Sequence, residues 1–304
     1  MALDLTVRVF CNPNDVVLVE SPTYVGALGV FAAYQCQVQH ITTDGVGLVP
    51  EALEASIVRI KKEGKNIKLV YTVPTYQNPL GITLPAKRRQ QVLQIAKKYG
   101  ILLIEDDPYC LLGFDGVVLR AIRAEDANGV VYLGSFSKTI AAGLRVGWAL
   151  APHGIREKLV QASEAAVLCP SNFSQLTVSN YLEETNWRNQ LRVFQGLYSV
   201  RRNALLDALQ KHMPSGTSWT KPKGGFFSWV TLPIGLDSQA MLPLALSQLV
   251  AYVPGTGFYA NGRGERFMRL CYSSSSPERI EEGVRRLSDV INDELGLFSN
   301  FGRT

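Results

Sequence analysis

The chain has 304 residues, 46% hydrophobic and 19% charged. That much apolar material builds a sizeable core and excludes a disordered chain, and no run of about 18 uncharged apolar residues exists to cross a membrane as a helix. Thirty-one basic and 26 acidic residues leave a net charge of +5, scattered along the chain rather than gathered into the basic, aromatic-laced stripe that nucleic-acid binding needs.

Residues 1–10 carry Asp4 and Arg8 within an apolar stretch, so they read as the start of a helix, Ala2–Cys11, and not as a secretory leader. From Asp15 to Ala151, six short apolar runs then alternate with helical patterns. The runs are Asp15–Ser21, Cys36–Ile41, Ile67–Val73, Ile101–Asp106, Val130–Ser135 and Gly147–Ala151. Most are rich in β-branched residues, as strands buried on both faces should be. Between them, Glu51–Glu63 places Leu53, Ile57 and Ile60 on one face. Ala86–Tyr99 does the same with Val92, Ile95 and Ala96, and each segment stops before a glycine, Gly64 or Gly100, where a helix end favours a left-handed residue. This alternation predicts an α/β fold, a mainly parallel sheet with helices on both faces.

Beyond Ala151 the rhythm changes. Gly154–Glu184 reads as helix broken at Cys169-Pro170, and Asn186–Met213 as one long helix. Short strands follow at Thr217–Thr220, Phe226–Leu232 and Phe267–Tyr272, with helices at Ser238–Val250 and Pro277–Leu295. These make a smaller C-terminal α+β domain, and the boundary is set inside the long helix, giving domains 1–195 and 196–304. The five cysteines include no C-x-x-C pair, and the three histidines stand apart. A zinc site or disulfide framework is therefore not expected, and the cysteines fit a reducing, cytoplasmic setting.

In an open α/β sheet, ligands bind beyond the carboxyl ends of the strands. Three successive strand ends carry unusual residues: Asn78-Pro-Leu-Gly81 after Val73, Glu105-Asp-Asp-Pro-Tyr109 after Ile104, and Gly134-Ser-Phe-Ser-Lys138 after Leu133, with Arg145 seven residues further on. Lys138 offers an amine that condenses with a carbonyl. Asp106 can balance a cationic ring nitrogen, Asn78 and Tyr109 can bond a phenolic oxygen, and Ser135 with Arg145 can grip a phosphate. An aldehyde, a pyridine nitrogen, a phenolic oxygen and a phosphate together describe pyridoxal phosphate. Arg269 adds a cation in the apolar strand Phe267–Tyr272, where an unpaired charge would be costly unless an anionic ligand meets it. Taken singly, each residue has a plainer reading: Lys138 as a surface lysine at a helix start, Asp106 as a turn cap, Tyr24 as core, Ser137 as a local turn partner. The combination at three strand ends favours the cofactor site.

With these segments, together with Glu20-Ser-Pro-Thr-Tyr24, Lys221-Pro-Lys-Gly-Gly-Phe-Phe227 and Phe267-Met-Arg269, the chain resembles the fold-type I, class I/II pyridoxal-phosphate-dependent aminotransferases over essentially its whole length. It is most similar to the branch of 2-aminoadipate and aromatic aminotransferases and of the effector domains of MocR-type regulators. The resemblance implies that Lys138 carries the covalent link to the cofactor and that Asp106 pairs with the ring nitrogen. Asn78 and Tyr109 would contact the phenolic oxygen, Ser135, Ser137 and Arg145 the phosphate, and Tyr24 the ring face. Asn78 and Arg269 would bind the substrate. It also implies an α-amino acid and a 2-oxo acid as substrates, a homodimer, and a cis peptide bond at Asn78-Pro79; from charge and hydropathy, neither nucleic acid nor membrane is expected as a partner.

The family ordinarily has a further N-terminal segment that includes a first strand and a phosphate-binding loop, so the sheet is expected to show six strands, one fewer than usual. Two other readings stay open from the residues alone: a catalytically silent binding or regulatory remnant, and a lyase on the same scaffold.

Overall fold

A computed structural model of the chain describes residues 1–301. The apolar runs become β1 (Val16–Ser21), β2 (Gln37–Asp44), β4 (Ile67–Thr72), β5 (Leu102–Asp106), β6 (Val130–Ser135) and β7 (Gly147–Leu150), with a two-residue β3 at Gly47–Leu48. They form a seven-stranded sheet in the order β3-β2-β1-β4-β5-β6-β7. The strands β2, β1, β4, β5 and β6 run parallel, and the edge strands β3 and β7 run antiparallel to their neighbours. The expectation of six strands is thus corrected. The seventh is β3, which folds back on β2 through Thr43↔Leu48 and Asp44↔Gly47 and is too short to leave a period-2 signature.

Alternate residues of each central strand feed opposite layers, as the pleat requires. Leu18, Val70 and Leu103 face α3 (Pro50–Lys62) and α4 (Ala86–Tyr99), packing on Leu53, Ile57, Val92 and Ala96. Val17, Val19, Leu69, Tyr71 and Ile104 face the other layer, where α1 (Ala2–Phe10), α2 (Val25–Ala33) and the first part of α7 (Trp187–His212) contribute Val7, Phe31 and Leu191. Each such aliphatic or aromatic side chain contributes about 1.5–3 kcal/mol by leaving water. α4 ends as its sequence suggests. Gly100 adopts φ +66°, and the N–H of Ile101 reaches back to Ala96 O at 2.9 Å, turning the chain directly into β5. A side chain there would meet the left-handed penalty of about 1–2 kcal/mol.

After β7, α5 (His153–Val167) and α6 (Asn172–Glu184) are separated at Cys169-Pro170, and the Ser171 hydroxyl caps α6 by accepting from the N–H of Ser174 at 3.2 Å. α7 is one helix of 26 residues. Its early residue Leu191 belongs to the core of the large sheet. Its later residues Leu205, Ala208 and Leu209 belong to a second core, and Tyr198 packs against both. That second core lies against a four-stranded antiparallel sheet ordered β10 (Val253–Pro254), β11 (Phe267–Cys271), β9 (Phe227–Thr231), β8 (Ser218–Trp219), with α8 (Ser238–Ser247) and α9 (Pro277–Phe301). No helix among the described residues is long and apolar enough to cross a membrane.

Candidate functional site

The parallel register sets the carboxyl ends of β4, β5 and β6 side by side: Tyr71 opposite Ile104, Thr72 opposite Glu105, Asp106 opposite Leu133. Tyr71, fully buried, donates its hydroxyl proton to Asp106 Oδ2 at 2.7 Å. Burial pushes the Asp106 carboxyl up to about 6, while the tyrosine hydrogen bond pulls it down. The charged form is thereby held by a donor on one oxygen in surroundings poor in water, the condition in which a carboxylate pairs most strongly with an approaching cation. Tyr71 went unremarked in the sequence. Its signal is a phenol at the next-to-last position of the strand, on the same face as the buried Leu69.

The loop after β4 is fastened from below. Glu20, at the end of β1, is buried and accepts from Thr72 Oγ1 (3.0 Å), Val73 N–H (2.9 Å) and Gln77 Nε2 (3.4 Å). Gln77 also donates to Pro22 O at 2.8 Å and accepts from the N–H of Leu80 at 2.8 Å. Arg89 of α4 braces the loop's other flank through Leu84 O, Pro74 O and Thr75 Oγ1. The Asn78-Pro79 bond between these anchors is cis, as expected. Burial raises the Glu20 carboxyl to about 7 against the lowering pull of its three donors.

So fixed, Asn78 meets Arg269 from the second sheet, its Oδ1 accepting from the guanidinium at 2.8 Å. The guanidinium carbon lies 4.1 Å from the Phe227 ring centroid and 5.2 Å from that of Phe258, and the buried Nε has no partner. Loss of water lowers the pKa of Arg269 from its usual value. An arginine sandwiched between two aromatic faces, with an amide oxygen as partner and one donor orphaned, is arranged to receive an anion.

Beyond β6 the backbone turns on itself. Phe136 O accepts from the N–H groups of Thr139, Ile140 and Ala141, so Lys138 sits in a tight turn, half-buried, and not at a helix start. Ser135 Oγ accepts from the N–H of Ser137 at 3.1 Å. Arg145 closes the segment in a left-handed conformation, φ +56°, with its guanidinium 3.5 Å from Ser137 Oγ and 3.1 Å from Ala142 O. Tyr109 is buried, edge-on to Phe226 and Phe227. Tyr24 caps α2 with its ring over Gly26, where a Cβ would lie 2.5 Å from the phenol. It stands within electrostatic range of Tyr71, Tyr109 and Arg269. The hydrogen bonds thus join Asn78 to Arg269 and Ser135 to Ser137 and Arg145. Tyr109 lies within electrostatic range of both Asp106 and Tyr24, with no hydrogen bond joining the three.

The ends of β4, β5 and β6 thus carry a buried acid, the turn that holds Lys138, and a serine–arginine corner, while the second sheet brings Arg269 to Asn78 of the loop after β4. Comparison with known proteins agrees. Residues 1–287 match the family model described as aminotransferase class I and II. The chain is 43% identical over 296 residues to aromatic-amino-acid aminotransferase 1 of Thermococcus litoralis, covering 97% of this chain and 71% of that protein. The crystal structure of Pyrococcus horikoshii kynurenine aminotransferase in complex with PMP superposes with a TM-score of 0.93 at 42% identity, covering 97% of this chain and 73% of that one. That of an α-aminoadipate aminotransferase from Thermus thermophilus, complexed with N-(5'-phosphopyridoxyl)-L-leucine, superposes at 0.91 with 36% identity, covering 97% and 76%. With its family model spanning most of its length and relatives above 40% identity covering nearly all of it, the chain belongs to the class I and II aminotransferases, enzymes that use pyridoxal phosphate to transfer amino groups.

Proposed function

We propose that this aminotransferase moves the amino group of an α-amino acid, aromatic ones included, to a 2-oxo acid, with Lys138 as the residue that takes the cofactor aldehyde. The observation that carries the reading is Arg269, whose guanidinium lies between Phe227 and Phe258 with Nε unpartnered. Such a group suits a planar carboxylate, common to both substrates, and the flanking rings suit an aromatic side chain. The names of the relatives support the aromatic preference.

The donors present fit pyridoxal phosphate. Asp106, braced by Tyr71, supplies a buried carboxylate for the ring nitrogen. Ser135, Ser137 and Arg145 supply hydroxyls and a cation for the phosphate. Asn78 and Tyr109 supply donors for the phenolic oxygen, and Tyr24 a ring to stack. When bound, the cofactor supplies an aldehyde for the amine and a cationic ring that draws electron density from the substrate Cα. The chain's part is electrostatic and positional. Asp106, ionised above about pH 6, keeps the ring proton in place. Arg269 and Asn78 orient the carboxylate. The Lys138 amine, when not joined to the cofactor, would take the proton from the substrate Cα and hold it on Nζ for return to the substrate–cofactor pair, a transfer worth about 10²–10⁴-fold. Phe227 and Phe258 exclude water around the Arg269 guanidinium.

A second copy of the chain is the partner in this reading. Its support is the exposed apolar side chains around the α5–α6 turn, Leu168, Phe173 and Leu176 at 80%, 78% and 63%, since large apolar groups left to water mark interaction surfaces where they cluster.

The test is amino transfer from phenylalanine to 2-oxoglutarate with wild type and Arg269→Ala. Loss of two charge-assisted hydrogen bonds, about 1.5–3 kcal/mol each, raises KM for both substrates by about 10²–10⁴-fold, with cofactor absorbance unchanged. Equal KM values in the two proteins would overturn the reading.

A further inference from the structure

His40 lies on β2, opposite Val19 of β1, outside the group of residues described above. Its Nε2 is 2.9 Å from the backbone N of Ala260, and its Nδ1 is 3.0 Å from Glu20 O. A peptide N–H only donates and a carbonyl only accepts, so the two contacts fix the tautomer: Nε2 carries the lone pair and Nδ1 the proton. Burial lowers the histidine pKa, which favours this neutral form.

Ala260 follows the tight segment Gly255–Phe258 that leads out of β10, and β10 pairs with the Arg269 strand at Val253↔Arg269. The segment closes the Arg269 pocket. Phe258, fully buried, lies 5.2 Å from the guanidinium carbon and edge-on to Trp229 at 5.3 Å. Two hydrogen bonds tie this segment to the loop after β1 and to β2 of the large sheet, the Thr23 N–H to Phe258 O at 3.1 Å and the Ala260 N–H to His40. Tyr259 adds ring contact with His40, centroids 5.6 Å apart. The carbonyl that receives the His40 proton belongs to Glu20, the residue that also anchors the Asn78 loop. Both walls around Arg269 thus lead back to one point at the end of β1.

We propose that His40 is a positioning residue for the substrate carboxylate, latching the Gly255–Ala260 segment to the large sheet and so holding Phe258 against Arg269. The inference rests on Arg269 as the carboxylate site. Without the latch, Phe258 and the segment draw away, water reaches the guanidinium, and carboxylate binding weakens while the groups that act on Cα stay in place. The effect is therefore on KM and not on kcat.

The experiment compares wild type, His40→Phe, His40→Ala, His40→Gln and Arg269→Ala. His40→Phe keeps a ring against Tyr259 but loses the acceptor, and His40→Ala serves in its place should the ring not be accommodated. His40→Gln restores an acceptor for the Ala260 N–H. Hydrogen exchange over residues 255–262 of the cofactor-free chain is read alongside kcat and KM. The latch predicts faster exchange and a KM for phenylalanine and 2-oxoglutarate raised about tenfold in His40→Phe, the size of one backbone hydrogen bond. It also predicts kcat within twofold or so of wild type, and recovery of both readouts in His40→Gln. Unchanged exchange, or faster exchange with KM unmoved or kcat reduced instead, overturns the latch provided Arg269→Ala raises KM. If Arg269→Ala leaves KM unmoved, the carboxylate assignment itself has failed, and the exchange data alone then report whether His40 holds the segment.

Discussion

Glu20→Gln should stabilise the cofactor-free chain at alkaline pH and leave it unchanged at acid pH. The buried Glu20 carboxyl titrates at about 7 in the folded chain against 4.5 for an ordinary glutamate. A raised acid pKa means the folded state holds its proton more tightly than the unfolded state. The stability this provides is present in full below 4.5 and is lost as pH climbs through 7. At about 1.4 kcal/mol per pH unit the full swing is about 3 kcal/mol, of which about 2.5 falls between pH 5 and pH 8. Glutamine occupies the same volume and keeps every partner. Its oxygen accepts from Val73 N–H and Gln77, and its amide donates to Thr72 Oγ1, which can rotate to accept. Urea unfolding of wild type and variant at pH 5 and pH 8 measures the difference. The variant should match wild type at pH 5 and exceed it by about 2–3 kcal/mol at pH 8. Asp106 and Asp107, raised to about 6 and about 7, remain in both proteins and cancel in the difference. Parallel pH profiles, or a wild type more stable at pH 8, would show that the three donors fully stabilise the charged form and that the burial argument is wrong.

Asp106, raised by burial to about 6, should make cofactor affinity fall about tenfold per unit as pH drops below 6. An absorbance titration with pyridoxal phosphate from pH 5 to pH 7.5 measures this, and Asp106→Asn should weaken binding and flatten the profile. Tyr71→Phe removes the donor that lowers the Asp106 pKa and should move the midpoint of that profile upward; a midpoint unmoved or shifted down would contradict the hydrogen-bond account. Leu176→Glu, placing a charge on the α5–α6 patch, should convert a dimer to monomer in sedimentation velocity, whereas a wild-type chain already monomeric at micromolar concentration would remove the self-association reading.

The large sheet was legible because its central strands are largely buried on both faces and therefore spelled as short apolar runs rich in β-branched residues, such as Asp15–Ser21 and Ile67–Val73. α7 was legible because a single apolar stripe persists from Leu191 to Leu209. α2 was not picked out: Val25–Ala33 is apolar all round, with two glycines, Gly26 and Gly29, so no face stands out from another. β3 is two residues long and is held by its hairpin partner, a contact that no local pattern records. Lys138 read alone as a helix start, but three N–H groups converge on Phe136 O and Ala141 is extended, with φ −154°. Asn78 and Arg269 were each visible as polar residues at strand positions, yet their contact joins two sheets across 191 residues. The same holds for His40 and Ala260, 220 residues apart. Strand ends could be read from periodicity; which side chains meet across the cleft needed the fold.

The account depends on Lys138 being the amine that meets the cofactor aldehyde. Borohydride reduction of the chain incubated with pyridoxal phosphate, followed by peptide mass mapping, tests this directly. A stable phosphopyridoxyl adduct on the peptide containing Lys138, absent from Lys138→Ala, is the predicted result. An adduct distributed over other lysines, or one that persists in Lys138→Ala, would contradict it.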